Sequence, residues 1–227
     1  MPADILRDMP SSRRLHRAVL PLLAAAVLAA PALTTAPDVV SGLVAQPALS
    51  IDGGVDLPFN PQLASVSCPV ERGPVKEGAD ADRLKVSTTV SGTTVAYLRA
   101  RSKPSSYPKA NRIAPNELHT WQLNATLTQY KQESDGDVHL ILKDGNGRAM
   151  IAEIPYPACV PTSSRWKAQI TSARSTFTQI YGVSTSLHYA HRSVTVRGLG
   201  LFDPPHGQTG AAPNGIELHP VTGIAFH

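Results

Sequence analysis

Carboxylate and imidazole side chains cluster at two places in this chain of 227 residues. One block runs from Glu133 to His139 and includes Asp135, Asp137 and two small residues. The other begins with His206 and continues through Glu217-Leu218-His219-Pro220. Carboxylates and neutral imidazoles bind ions such as Zn²⁺ and Mn²⁺, and they also move protons in acid–base catalysis. The two blocks therefore predict a site but do not identify its ligand.

The first block leads into a predicted hairpin. Apolar residues occupy every second position at Val138, Leu140 and Leu142 and again at Met150, Ala152 and Ile154, and a Gly/Asn-rich turn separates the two runs. Pairing Val138 with Ile154 gathers the apolar side chains on one face and places His139 opposite Glu153 on the other. A slip of one residue would bury Glu153 among leucines, which is energetically unfavourable. The first register is therefore expected.

The second block lies on a loop and a strand. Ile216 to Ala225 predicts a strand in which Glu217 and His219 share one face, and the loop before it, residues 203–215, is long and rich in Gly and Pro. The candidate metal- or ligand-binding residues are Asp137, His139, Glu153, Asp203, His206, Glu217 and His219. The alternative is a solvated face with cross-strand Glu–His ion pairs, since no HExxH or Cys–His zinc spacing is present. The ions considered are Zn²⁺, Mn²⁺ and, from the partial calcium loop at residues 133–137, Ca²⁺.

The order of predicted elements indicates a mainly β fold. Three strands come first, beginning near His119, and an amphipathic helix with an apolar stripe from Trp166 to Phe177 follows. Two further strands, at residues 193–199 and 216–225, complete the order. An OB-like small Greek-key barrel with one helix between strands 3 and 4 has this order. A β-sandwich or another α+β sheet is the alternative.

The chain divides into a leader, a linker and one domain. Residues 1–36 predict a signal peptide, with four arginines before an apolar run from Ala18 to Ala30, and an uncleaved N-terminal anchor is the alternative. Residues 37–67 are rich in Pro, Gly, Ala and Ser and predict a flexible linker. Residues 68–227 form a single predicted domain, with an N-terminal extension (68–115) and a core (116–227). We therefore expect an exported, secreted or envelope protein whose mature chain has no membrane span.

Net charge and aromatic content limit the class of binding partner that we expect. Without residues 1–36 the chain has 17 basic and 15 acidic residues, a formal net charge of +2. Aromatic residues are also few, so a nucleic-acid partner is disfavoured.

Cys68 and Cys159 are the two cysteines, and in an exported chain they predict a disulfide bond. Two free thiols are the alternative.

Several segments resemble a family of exported bacterial proteins of unknown function. They are Cys68–Arg72, Val75–Asp82, Asp137–Leu140, Met150–Pro155, His206–Gly210 and Ile216–Val221. The resemblance extends over residues 68–227 and implies export, but it assigns no activity and no catalytic residue.

A shorter resemblance concerns residues 135–155. An Asp-Gly-Asp leading into a strand, followed by a hairpin that ends in an acid and a proline, is similar to the thermonuclease-type OB barrel. The resemblance implies that Asp137 and Glu153 are calcium- or phosphate-site acids. That family has an arginine shortly before its second acid, whereas Ala149–Ala152 fill this stretch here. Without that arginine, a phosphodiesterase would lose its main electrostatic stabilisation.

Three functions remain after this reading. The first is an exported OB-like binding module with an Asp/His/Glu metal or ligand site. The second is a metal-dependent phosphodiesterase or nuclease-like hydrolase, and the third is a structural envelope protein without a small-ligand site. The sequence favours the first and leaves enzymatic activity as an open alternative.

Overall fold

A computed structural model describes residues 66–227 of the chain. The predicted signal peptide and residues 37–65 of the predicted linker lie outside the described residues. The described part is mainly β, and none of its helices is long and apolar enough to cross a bilayer. Its strands are β1 (Val90–Gly92), β2 (Thr120–Gln132), β3 (Val138–Lys143), β4 (Ala149–Ile154), β5 (His188–Phe202) and β6 (Ile216–Phe226). Its helices are α1 (Gly73–Lys76), α2 (Val95–Arg99) and α3 (Lys167–Thr178), with a 3-10 turn at Asn116–Leu118.

The six strands form one mixed sheet whose hydrogen bonds close into a ring. The strand order is β1-β2-β3-β4-β6-β5, and β5 also pairs with β2. Strand β1 adds to the first residues of β2 in parallel and lies outside the ring. Within the ring, neighbouring strands pair in antiparallel ladders at every junction but one. At that junction β4 and β6 run parallel and pair through Ala152 and Leu218. The β4–β6 junction is therefore the shortest in the ring.

The expected hairpin register is confirmed. Val138 pairs with Ile154, and His139 pairs with Glu153. The apolar residues of this alternation, with those of β2 and β6, fill the core and leave Leu140, Ile154 and Leu218 fully buried. The predicted helix is also present, as α3, and its Phe177 packs into this core. The hydrophobic alternation thus determines which side of β3, β4 and β6 is left to polar residues.

One buried ion pair joins the N-terminal extension to the core, and a second lies within the extension. Arg72 pairs with Glu117 at 2.7 Å and Arg112 pairs with Asp80 at 2.9 Å, all with almost no exposed side-chain surface. The predicted disulfide between Cys68 and Cys159 is present, with its Cα atoms 5.4 Å apart. The disulfide connects the start of the extension to the segment between β4 and α3.

The β-branched run at residues 86–95 predicts one or two strands from its sequence, and the structure agrees with this prediction only in part. The strand is limited to the three residues of β1, and α2 begins at Val95. The reason is local: the Thr94 hydroxyl accepts a hydrogen bond from the backbone N–H of Tyr97 at 3.0 Å, a typical helix N-cap. This cap ends the extended stretch.

Acid should weaken the extension through Asp82. The Asp82 carboxylate pairs with Lys85 at 2.7 Å and accepts from the backbone N–H of Arg112 at 3.0 Å, and these contacts lower the pKa of Asp82 from 3.8 to about 2. A lowered folded-state pKa adds stability above the unfolded value, and that stability is lost as the pH falls toward 2. The loss should not exceed about 2 kcal/mol, because Lys85 is largely exposed and water weakens its attraction.

The measurement is the urea midpoint of wild type and Asp82→Asn between about pH 5 and pH 2. The variant should lose stability less steeply than wild type over this interval. Glu71→Gln, which changes an exposed carboxylate of the same extension, is the control and should follow wild type. Parallel curves for wild type and Asp82→Asn would contradict the role assigned to this carboxylate.

Candidate metal centre

The polar face of β3, β4 and β6 is buried, so the alternative of a solvated face is wrong for these residues. His139 and His219 have no exposed surface, and Glu153 and Glu217 are 3% exposed. Part of the cover is the loop over residues 203–215, whose Thr209 carbonyl lies 3.0 Å from Nε2 of His139. The loop lies so close to β3 that a Cβ on Gly210 would come within 2.8 Å of Ile141. Burial makes every unpaired polar atom on this face energetically significant.

His219 lies at the centre of the buried group. Its Nδ1 lies 3.1 Å from Oε1 of Glu217 and 3.2 Å from Oε2 of Glu153. Its Nε2 lies 3.2 Å from Oδ2 of Asp137. Both ring nitrogens therefore face carboxylate oxygens. A neutral ring would place a lone pair against an oxygen, so the ring is stable there either with two protons or with one proton and a cation.

Asp137 is fixed through one oxygen and unsatisfied at the other. Its Oδ1 accepts from the backbone N–H of Tyr156 at 2.8 Å. Its Oδ2 is buried and has no hydrogen-bond partner with acceptable geometry, and the same is true of Nε2 of His219. The two atoms are only 3.2 Å apart. Two ligands of one tetrahedral zinc ion, each bonded at about 2.0 Å, are separated by about 3.3 Å.

Glu153 belongs to two overlapping groups. One ligand atom from each of Asp137, Glu153 and His219 lies within 4.8 Å of the others, and the same holds for Glu133, His139 and Glu153. In the second group, Nδ1 of His139 lies 2.8 Å from Oε1 of Glu153 and 3.5 Å from Oε1 of Glu133. Only the first group contains buried atoms without hydrogen-bond partners, so it is the stronger candidate for an ion.

The crowding of carboxylates around His219 shifts the pKa values of the groups in and near the centre. Burial would lower the pKa of His219, but its contacts with Asp137, Glu153 and Glu217 outweigh burial and raise the pKa well above 6.5. Burial, together with the charge of Glu153, raises the pKa of Glu217 to about 7. Burial and the charge of Asp137 likewise raise the pKa of Glu77 to about 7. Acidic groups that retain protons at neutral pH indicate surplus negative charge, which a bound cation would offset.

Comparison with known proteins finds no family model that matches the chain. No curated protein matches its sequence. What the centre does must therefore be inferred from its own geometry.

Asp203 and His206, two of the candidate residues, lie apart from the group around His219. Asp203 pairs with His206 at 3.1 Å on one oxygen and with Lys76 at 3.1 Å on the other. Burial would lower the pKa of Lys76, but Glu217, Asp203 and Glu153 outweigh it and raise the pKa. Asp203, His206 and Glu217 line one pocket of about 220 Å³ beneath the loop. Asp203 and His206 thus line a pocket beside the group around His219 and are not part of that group.

Three contributors to the centre were missed by the sequence reasoning. Lys76 comes from the extension, Glu133 was not among the candidate residues, and Tyr156 contributes a backbone N–H that no side-chain pattern reveals. Of the three, only Glu133 could have been identified from the sequence, since it lies within the same acidic block as Asp137. Lys76 lies far from Asp203 in sequence, so the closed fold is needed to bring them together.

Proposed function

We propose that this protein is an exported binding module of the OB type that holds a divalent metal ion between Asp137, Glu153 and His219. The observation that carries the proposal is the pair of buried, unsatisfied atoms, Oδ2 of Asp137 and Nε2 of His219, at 3.2 Å. The two atoms face each other as an ion pair when the ring carries both protons, but without a well-aligned hydrogen bond each is poorly satisfied in a dry interior. A cation between them removes both deficits.

The contacts around the proposed ligands have the form expected for a metal site. A ligating histidine usually donates its other ring N–H to a carboxylate, which orients the ring. Here Glu217 accepts from Nδ1 of His219 and leaves Nε2 for the ion, while the N–H of Tyr156 orients Asp137. A set of two carboxylates and one imidazole favours Zn²⁺ or Mn²⁺ over Ca²⁺, which prefers oxygen ligands alone.

Strand order and the disulfide support the rest of the proposal. A ring in the order β2-β3-β4-β6-β5, with α3 between β4 and β5, is consistent with the Greek-key arrangement of an OB fold. The Cys68–Cys159 disulfide is compatible with an oxidising, exported environment. The ion would therefore be acquired during or after export.

Burial favours binding over hydrolysis. Catalytic metal sites keep a coordination position open to water or substrate, whereas Asp137 and His219 have no exposed surface. Arg174, whose charge acts on Asp137, donates Nη1 to the carbonyls of Gly136 and Ile154 at 2.8 and 3.2 Å. Its guanidinium is thus used within the fold rather than offered to a phosphate. The proposed ion holds the structure together, and the adjoining pocket is the place for a ligand.

Metal content tests this proposal. The full chain, exported into an oxidising compartment and purified without chelator, should contain about one equivalent of zinc or manganese by elemental mass spectrometry. Asp137→Asn should lose the ion, because an amide oxygen without charge is a weaker ligand. Asp144→Asn, which removes the same charge from a hairpin turn, is the matched control and should retain it.

Thermal unfolding provides the second readout. Removing the ion with a chelator should lower the Tm of wild type, and adding it back should restore the Tm, because a ligand bound only to the folded state stabilises that state. Asp137→Asn should not respond to added metal. The proposal is contradicted if wild type binds no Zn²⁺, Mn²⁺ or Ca²⁺ and its Tm does not change when these ions are added. His219 would then be a buried imidazolium among carboxylates.

A further inference from the structure

A second pocket, remote in sequence from the centre's ligands, has a different character. It has a volume of about 560 Å³ and lies between the end of α2, the connector after it and the first residues of β2. This volume is within the range of small-molecule sites, about 300–1,000 Å³. The lining residues used below are Tyr97, Arg101, Lys103, Asn116, His119 and Trp121.

The charged side chains that line this pocket are all positive. Arg101 and Lys103 line it, and none of the described residues that line it is acidic. Within residues 66–227, neither side chain forms an ion pair; Arg101 is half-buried and Lys103 is exposed. Two positive charges without a counter-charge raise the local concentration of small anions.

Arg101 is held in a defined position. Its guanidinium lies over the ring of Tyr97, 3.9 Å from the ring centroid, and its Nε donates to the Tyr97 carbonyl at 3.1 Å. Within the described residues its Nη1 and Nη2 have no hydrogen-bond partner, so the planar edge that pairs with carboxylates remains available. Its backbone carbonyl accepts from Asn214 at 2.9 Å, which fixes the end of α2.

The wall beside these cations is aromatic. The ring of Trp121 lies 6.0 Å from that of Tyr97 and 4.6 Å from that of His119, measured between centroids. The Trp121 indole is fixed by its Nε1 donating to the Asn116 carbonyl at 2.9 Å. Tyr97 keeps 45% of its surface exposed, so part of the wall is open to a ligand. Aromatic side chains stack with flat rings in offset or edge geometry.

We propose that this pocket binds a small planar aromatic anion, with Arg101 and Lys103 holding the anionic group and Tyr97, His119 and Trp121 contacting the ring. This site is independent of the metal proposed between Asp137 and His219. A neutral ring would leave the two cations uncompensated, and a compact inorganic anion would leave the aromatic wall unused. Charge and wall together therefore select a ring that carries a carboxylate.

The probes are 4-hydroxybenzoate, its neutral amide 4-hydroxybenzamide, the non-aromatic cyclohexanecarboxylate and inorganic phosphate. Binding to the full chain is followed by NMR, since the protein has two tryptophans and hence two indole N–H signals. The Trp121 signal should shift with 4-hydroxybenzoate. The Trp166 signal should not, because Trp166 lies in a separate core cluster with Val160 and Leu199.

Among the probes, 4-hydroxybenzoate should bind most tightly. Arg101→Met should weaken it by about tenfold or more, and Lys103→Gln should weaken it less. Arg148→Met, which removes a cation that is paired with Asp144 and does not line this pocket, should leave it unchanged. Circular dichroism confirms that each variant is folded.

Several results would overturn the proposal. If 4-hydroxybenzoate and 4-hydroxybenzamide bind with equal affinity, charge does not select the ligand. If phosphate binds as tightly as 4-hydroxybenzoate, the aromatic side chains do not select the ligand. An unmoved Trp121 signal, or an Arg101→Met variant that binds as wild type does, would show that the pocket is not the binding site. None of these results depends on metal content, so the two proposals can fail separately.

Discussion

Replacing Arg72 with methionine lowers the free energy of unfolding by about 3–5 kcal/mol, the largest loss that we expect from a single side chain here. The guanidinium donates to both oxygens of Glu117, at 2.7 and 2.8 Å, and to the carbonyls of Pro108, Asn111 and Phe202. Methionine fills similar space but leaves the buried Glu117 carboxylate without its ion-pair partner, with two backbone N–H groups as its remaining donors. Urea unfolding followed by tryptophan fluorescence measures the loss.

Two further variants separate the reasons for this effect. Arg148→Met breaks an arginine–carboxylate pair with a 45% exposed arginine and should cost less than about 1 kcal/mol. Arg72→Met combined with Glu117→Gln should be less destabilised than Arg72→Met alone, because glutamine removes the orphaned charge. If Arg72→Met costs no more than Arg148→Met, the extension is not held by this ion pair.

Removing the disulfide lowers stability by about 4–5 kcal/mol, judged from the chain-entropy model. Cys68 and Cys159 are 91 residues apart in sequence, so their bond closes a long loop and restricts the unfolded chain strongly. The double variant Cys68→Ala/Cys159→Ala should show this loss in urea unfolding under oxidising conditions.

Reduced wild type is the matched comparison for that variant. It should unfold at the same urea concentration as the double variant, because both lack the same restriction. Under reduction, the double variant itself should not change. A loss below about 1 kcal/mol would mean that the 68–159 bond adds little to the contacts already made by the extension.

Local pattern was enough to predict most of the sheet. Alternation over residues 138–142 and 150–154 gave both strands, and the unfavourable burial of Glu153 selected the register that pairs it with His139. Such predictions succeed because hairpin partners are close in sequence. The closure of β5 onto β2 depends on contacts between distant residues, which alternation does not report.

The same distinction explains the candidate site. Glu217 and His219 were expected to share a face, and the structure brings them to Asp137 and Glu153. Their burial was not foreseen, because the covering residues come from α1 and the 203–215 loop, and a polar alternating face looks solvated when its cover is distant in sequence. Asp203 and His206 were grouped with the ligands because they were polar and near in sequence, although they face the adjoining pocket.

The short β4–β6 junction has a consequence for partial unfolding. The other junctions in the ring are long ladders, so the ring is equivalent to a continuous strip whose ends meet at Ala152 and Leu218. An opening at this junction would leave every antiparallel ladder intact, although it would expose Ala152 and Leu218 of the core. Glu153 and His219 directly follow the two residues of that pair and contact each other at 3.2 Å. Side-chain chemistry, rather than backbone pairing, thus decides how often the interior of the ring meets water.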